Sequence, residues 1–162
     1  MSKNDVKKTK KEIRESDYQD GRETELDIFE FFKQKYNHFT FTQPDRFDFY
    51  DLKASNNDTN EQYLTEIKKR YVTRDKYDTT IVPFTKVREY KRVKDDFVDM
   101  LFVFCFTDGN YYITYNELCK LKKHDKRIQV RNFQRFKSYT HKIKKHVFIP
   151  CDLLKPLDEL VL

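Results

Sequence analysis

The sequence predicts a layered α/β or α+β domain, a mixed central β-sheet flanked by helices. Two observations carry this expectation. The periodicities change in order along the chain: a helical stripe, strand-like runs, a second helix, then more strands. The run Met100–Phe106 is apolar without interruption, as in a strand covered on both faces. The length of 162 residues fits one domain with a substantial core.

Residues 1–17 are nearly all polar and include Lys3, Lys7, Lys8, Lys10 and Lys11; they read as a flexible basic tail ahead of a single domain over 18–162. The first helix is expected over 22–36, where Glu25, Phe29, Phe32 and Tyr36 share a face that Leu26 and Ile28 broaden. Phe39–Thr42 reads as a short strand and Gln43-Pro44-Asp45 as a turn. Phe47–Lys53 and Gln62–Lys68 form a hairpin across a polar loop rich in Asn and Asp. Residues 70–78 are charged and irregular, and Thr80–Phe84 is a short apolar run broken by Pro83. A second helix is expected over 85–94, with Val87, Tyr90 and Val93 inward. Asp108-Gly109-Asn110 is a turn signal between Met100–Phe106 and a strand over 111–114. A short helix over 116–123, a strongly basic stretch over 124–146, a strand over 147–149 and a helical turn within 152–160 complete the chain.

Lys and Arg number 33 against 27 Asp and Glu, a net charge of +6, which suits a polyanionic partner. With 15 Phe, 11 Tyr and no Trp, the core has to be built largely from Phe and Tyr beside Ile, Leu and Val. The bias toward Lys, Asn, Asp, Tyr, Phe and Thr matches an AT-rich genome, such as that of many phages. Cys105, Cys119 and Cys151 are widely spaced, and the four histidines show no zinc-ligand spacing, so free thiols in a reducing compartment are expected. No apolar stretch approaches the roughly 20 residues of a membrane span, and Met1–Lys11 lacks an apolar signal core; a cytoplasmic protein, in the host if phage-encoded, is expected.

The chemistry concentrates in Glu66-Ile67-Lys68. Residues i and i+2 of a strand share a face, so Glu66 and Lys68 project together. Breaking a phosphodiester calls for a hard divalent cation, Mg²⁺ or Mn²⁺, which one or two carboxylates can hold. A lysine beside it can orient the attacking water or meet developing negative charge. The backbone carbonyl of Ile67 offers a third oxygen. With a loop centred near Asn57 and Asp58, Asp48 falls opposite Ile67, whereas Asp51 falls opposite Leu64, roughly 7 Å along the strand. Asp48 is therefore the expected partner, and Asp51 stays in reserve, because an asymmetric loop or a bulge shifts the register. The plainer reading of Glu66 and Lys68 is a surface ion pair. Lys69, Arg70 and Arg74 directly follow the tripeptide. Arg131, Arg135 and Lys137 lie in the basic stretch, with Phe133, Phe136 and Tyr139 interleaved; both groups are candidates for phosphate contacts.

A leading helix with an acid, a strand Asp in Arg46-Phe47-Asp48-Phe49-Tyr50-Asp51-Leu52 and then Glu66-Ile67-Lys68 resemble the PD-(D/E)xK nuclease superfamily. That group includes phage nucleases and Holliday-junction resolvases, and the resemblance spans about residues 21–115. It implies a restriction-endonuclease-like αβββαβ core followed by a basic extension over 116–162. It also implies metal held by Asp48, Glu66 and the Ile67 carbonyl, Lys68 as catalytic lysine, Glu25 as auxiliary acid, and Lys86 as a polar residue facing the site. The literal Pro44-Asp45 lies three residues early, and register favours Asp48 over Asp45. The activity implied is a Mg²⁺-dependent deoxyribonuclease, an endonuclease of structure-directed, resolvase-like type. Its partner would be DNA, with RNA as the other polyanion that fits, and a homodimer is in keeping with such enzymes. The competing class is a nucleic-acid-binding or virion-associated protein of the same fold that does not cut.

Overall fold

The computed structural model describes residues 10–45, 48–133 and 143–162. Among these the order is α1 (Lys10–Lys35), β1 (Phe39–Thr42), β2 (Leu52–Asn56), β3 (Gln62–Lys69), β4 (Thr79–Pro83), α2 (Phe84–Val93), β5 (Asp99–Phe106), β6 (Gly109–Thr114), α3 (Tyr115–Lys122), β7 (Gln129–Phe133), β8 (Lys144–Pro150) and β9 (Lys155–Pro156). Short 3-10 turns follow α2 and flank β9. Two sheets form: β1-β2-β3-β5-β6-β9, mixed through the parallel β3/β5 pair, and a smaller antiparallel β4-β8-β7.

The expected doubly covered strand is β5. Met100, Phe102 and Phe104 point into one core with Leu64, Val82, Tyr90, Val147 and Ile149, beneath α2 and the small sheet. Leu101, Val103 and Cys105 point into a second core with Ile28 and Phe32 of α1 and with Tyr36 just after it. Leu157 and Leu160 close that second core, and the Tyr36 hydroxyl donates to the Leu160 carbonyl at 2.5 Å. Alternation along β5 thus gives each face its own set of partners.

Four elements differ from the sequence expectation. Helix α1 begins at Lys10, within the stretch expected as tail. Lys, Glu and Arg favour helix without any apolar stripe to announce it. Its buried side is Thr24, Ile28, Phe32 and Tyr36, while Leu26, expected inward, is exposed. The strand expected over 47–53 runs over 52–56, because Leu52 and Ala54 are the alternating inward pair. Strand β7 lies in the basic stretch; all five of its residues are exposed, so no hydrophobic alternation marked it. The C-terminal helical turn is present as 3-10 turns, but they bracket an unexpected strand, β9, which pairs with β6.

The β5–β6 hairpin turns at Thr107 and Asp108, and Gly109 takes φ 152°, a conformation that side chains rarely tolerate. Gly21 is different: it lies inside α1, and a Cβ there would meet nothing within 4 Å. Gly21→Ala should therefore raise stability by about 0.5–1 kcal/mol through helix propensity alone, read as a rise in Tm of a few degrees. No gain would mean that the first half of α1 is not helical in solution.

Candidate active site

Strand β3 carries the candidate residues past the end of its neighbour. Its pairing with β2 stops at Leu52 opposite Thr65, so residues 66–68 line an open edge on that side while staying paired to β5 on the other. Glu66 and Lys68 share the face toward α2; Ile67 turns the opposite way, into the core under α1. Glu66 is fully buried. One carboxylate oxygen is ion-paired with Lys68, and the other lies 3.0 Å from Nζ of Lys86, in the first turn of α2. Neither oxygen accepts a hydrogen bond of good geometry. A buried carboxylate compensated by charge alone retains unused acceptor capacity.

Asp51 completes the cluster. The chain entering β2 runs beside β3, and the Asp51 amide donates to the Thr65 carbonyl at 2.8 Å. Continuing the β2/β3 register by one position sets Asp51 opposite Glu66. One carboxylate oxygen of Asp51 accepts from the Ile67 amide at 2.7 Å. N–H and C=O of a strand residue point to the same side, so the Ile67 carbonyl faces the edge that Asp51 occupies. Burial first, and then the charge of Glu66, push the Asp51 carboxyl up to about 7, against the lowering effects of the Ile67 amide and Lys68. Glu25, half-buried on α1, is also raised; burial is the main cause, Arg22 opposes it and Glu66 adds to it. Lys68 and Lys86 bear on Glu25 too, so all five groups share one electrostatic environment.

Asp48 lies elsewhere. It is exposed, its carboxylate accepts from the Asp45 amide at 3.1 Å, and its own amide donates to the Asp45 carbonyl, closing a local turn. The hairpin loop is centred later than the sequence suggested. Asn56 receives the amides of Asp58 and Thr59 on its side chain, and Asn60 takes φ 59°, so the loop closes around 57–61. The register moves by two positions, and Asp51 takes the place expected for an acid beside Glu66. The alternation of Leu52 and Ala54 was the feature that pointed to it. Among the described residues, no three acidic, His or Cys side chains are drawn together into a ready-made metal cage. The oxygens that could hold a cation at this edge are those of Asp51, Glu66 and the Ile67 carbonyl.

The phosphate-contact candidates separate. Arg70 is a clamp: Nε donates to Thr80 at 3.0 Å, another nitrogen to the Ile81 carbonyl, and the guanidinium lies over Phe104. Its charge joins β3 to β4 instead of lying free at the surface. The Arg74 guanidinium sits 4.8 Å from the Tyr111 ring centre, and Lys69 Nζ 5.3 Å from that of Tyr71. Arg131 stands exposed on β7, whereas Arg135 and Lys137 lie outside the described residues. A cleft of about 580 Å³, which no sequence pattern announced, lies between Arg74, Tyr77, Arg127, Gln129 and Arg131. No described helix is long and apolar enough to cross a membrane.

The sequence matches no protein-family model and no curated protein. The structure is similar to Hjc, a Holliday junction resolvase from the archaeal hyperthermophile Archaeoglobus fulgidus. The TM-score is 0.54 at 12% identity, covering 86% of this chain and 93% of that one. It is also similar to a nuclease from a fusselovirus, with a TM-score of 0.51 at 16% identity, covering 83% of this chain and 80% of the other. At such identities the likeness establishes architecture, and that architecture is the restriction-endonuclease-like fold, a mixed sheet flanked by helices.

Proposed function

We propose that this protein is a metal-dependent nuclease that hydrolyses phosphodiester bonds in DNA, with Asp51 and Glu66 as the acids that hold a divalent cation. The observation that carries the reading is Glu66, fully buried with both oxygens short of hydrogen bonds, opposite an Asp whose ionisation burial resists. A cation between them would relieve both. Two carboxylates and a carbonyl fit Mg²⁺ or Mn²⁺, which keeps several waters. Bound there, the cation would neutralise the phosphate and acidify a water. Lys68, on the same strand face, would orient that water, and Glu25 would hold the far side of the cluster. Lys86 would hold the second Glu66 oxygen in place. The likeness to a resolvase and a viral nuclease supports the class, and resolvase-like action on branched DNA, as a homodimer, is the specific form proposed.

One observation favours a second reading, a module that binds nucleic acid without cutting: Glu66 already holds two lysines. In that case neither cleavage nor cation binding would be found.

Cleavage of branched, duplex and single-stranded DNA with Mg²⁺, Mn²⁺ or EDTA separates the two. Asp51→Asn and Lys68→Ala should each lower the rate by about 10²-fold or more, the scale expected for loss of one charge-stabilising group. Asp48→Asn should cut like the parent; a dead Asp48→Asn beside an active Asp51→Asn would reverse the assignment.

A second test needs no activity. Because the Asp51 pKa is raised by folding, from the ordinary carboxylate range to about 7, the native state binds a proton that the unfolded chain releases over that window. Stability without metal should fall as pH rises from about 4 to 7. Asp51→Asn should then be more stable than the parent at pH 8 in EDTA, by up to about 4 kcal/mol and visibly in Tm, with no gain at pH 4. Mg²⁺ should raise the parent's Tm at pH 8 and leave that of Asp51→Asn unmoved.

A further inference from the structure

The small sheet has two unlike faces. Val82, Val147 and Ile149 are buried in one core with Met100, Phe102 and Phe104 of β5, and Thr80, on the same face, is buried too. Directly paired residues share a face, so Arg131 with His146, Gln129 with Phe148 and Phe133 with Lys144 all point outward. The rings interlock there: Phe133 lies 5.5 Å from His146 and 6.0 Å from Phe148, both edge to face. The Arg131 guanidinium covers the Phe148 ring at 3.9 Å. Phe133 remains 36% exposed, and Arg131 is exposed as well.

Charge points the same way. β4, β7 and β8 contain no Asp or Glu, in a chain with 27 of them, yet their outer face carries Arg131 and Lys144. The outer face continues into the cleft lined by Gln129, Arg131, Tyr77 and Arg74. Three carboxylates also line the cleft: Asp152 is ion-paired with Arg127 at 2.9 Å, Asp75 accepts from the Thr73 hydroxyl at 2.7 Å, and Asp78 is exposed. Tyr77 is 62% exposed.

We propose that this outer face is a stacking platform for unpaired bases of a single-stranded nucleic acid. Phe133, His146 and the Arg131 plane take bases, and Lys144 and Arg74 take the phosphates alongside. Aromatic rings and guanidinium planes on an open sheet bind splayed-out bases because every base has a π-face, and neighbouring cations hold the backbone without reading sequence. Stacked bases inside a duplex offer no such face. The site uses none of the residues around Glu66 and stands whether or not the protein cuts.

The test is fluorescence anisotropy of the whole chain in EDTA, with a labelled oligothymidylate, a duplex of equal length and an abasic oligonucleotide of the same backbone. The single strand should bind more tightly than the other two. Phe133→Ala should weaken it about tenfold, the scale of losing one stacked base, while Phe133→Trp retains it and Asp48→Asn changes nothing. Arg131→Lys keeps the charge but loses the plane, and should also weaken the single strand. Unchanged Tm in Phe133→Ala excludes unfolding as the cause; if its Tm falls, Arg131→Lys and the abasic strand decide. Equal binding of the abasic strand, or unaltered affinity in Arg131→Lys alongside a merely unfolded Phe133→Ala, would reduce the face to a general electrostatic surface and overturn the proposal. Oligothymidylate affinity untouched by Phe133→Ala would overturn it too, and would leave a protein partner as the occupant.

Discussion

A carboxylate sealed from water has to be compensated by charge, and around Glu66 that requirement selects the neighbours. Lys68 comes from the same strand two residues on, which only an extended backbone brings to the same face. Lys86 comes from α2, so the helix must start where β4 delivers it, directly after Pro83. Asp51 lies across the open edge because β2 begins one residue later. Replacing such a cluster with apolar side chains would often be neutral or favourable for stability. The role proposed above gives two lysines on one buried acid, with a second acid raised beside them, a use that stability alone does not supply.

The open edge follows from strand length. Had β2 begun three residues earlier, its backbone would pair with residues 66–68, and the Ile67 amide and carbonyl would be used up in the ladder. Instead the Ile67 amide is met by the Asp51 side chain. A side chain in place of a backbone carbonyl makes the same hydrogen bond while leaving a second oxygen free. The early end of one strand thus turns a structural ladder into a polar recess.

What could be read beforehand follows from where periodicity is strong. The order of helices and strands, β5 covered on both faces and the shared face of Glu66 and Lys68 are all statements about alternation, and alternation survives in a single sequence. The choice between Asp48 and Asp51 was a matter of register, which depends on how Asn56 and Asn60 shape the loop; composition places a loop but not its centre. Strand β7 has no buried residue to betray it, and the first half of α1 has no apolar stripe. Arg70 was illegible in another way: a guanidinium looks the same in a sequence whether it meets solvent or the Ile81 carbonyl.

That guanidinium has a mechanical consequence. Arg70 lies two residues beyond Lys68; its amide is bound to the Cys105 carbonyl, and its side chain is pinned to Thr80 and Ile81 of β4. β4 is in turn the neighbour of β8. The small sheet cannot slide along the large one without breaking these bonds in the protein interior, so the span from its outer face to the Glu66–Lys68 pair is set by rigid parts. A strand long enough to reach both proposed sites would be held at one fixed offset between them.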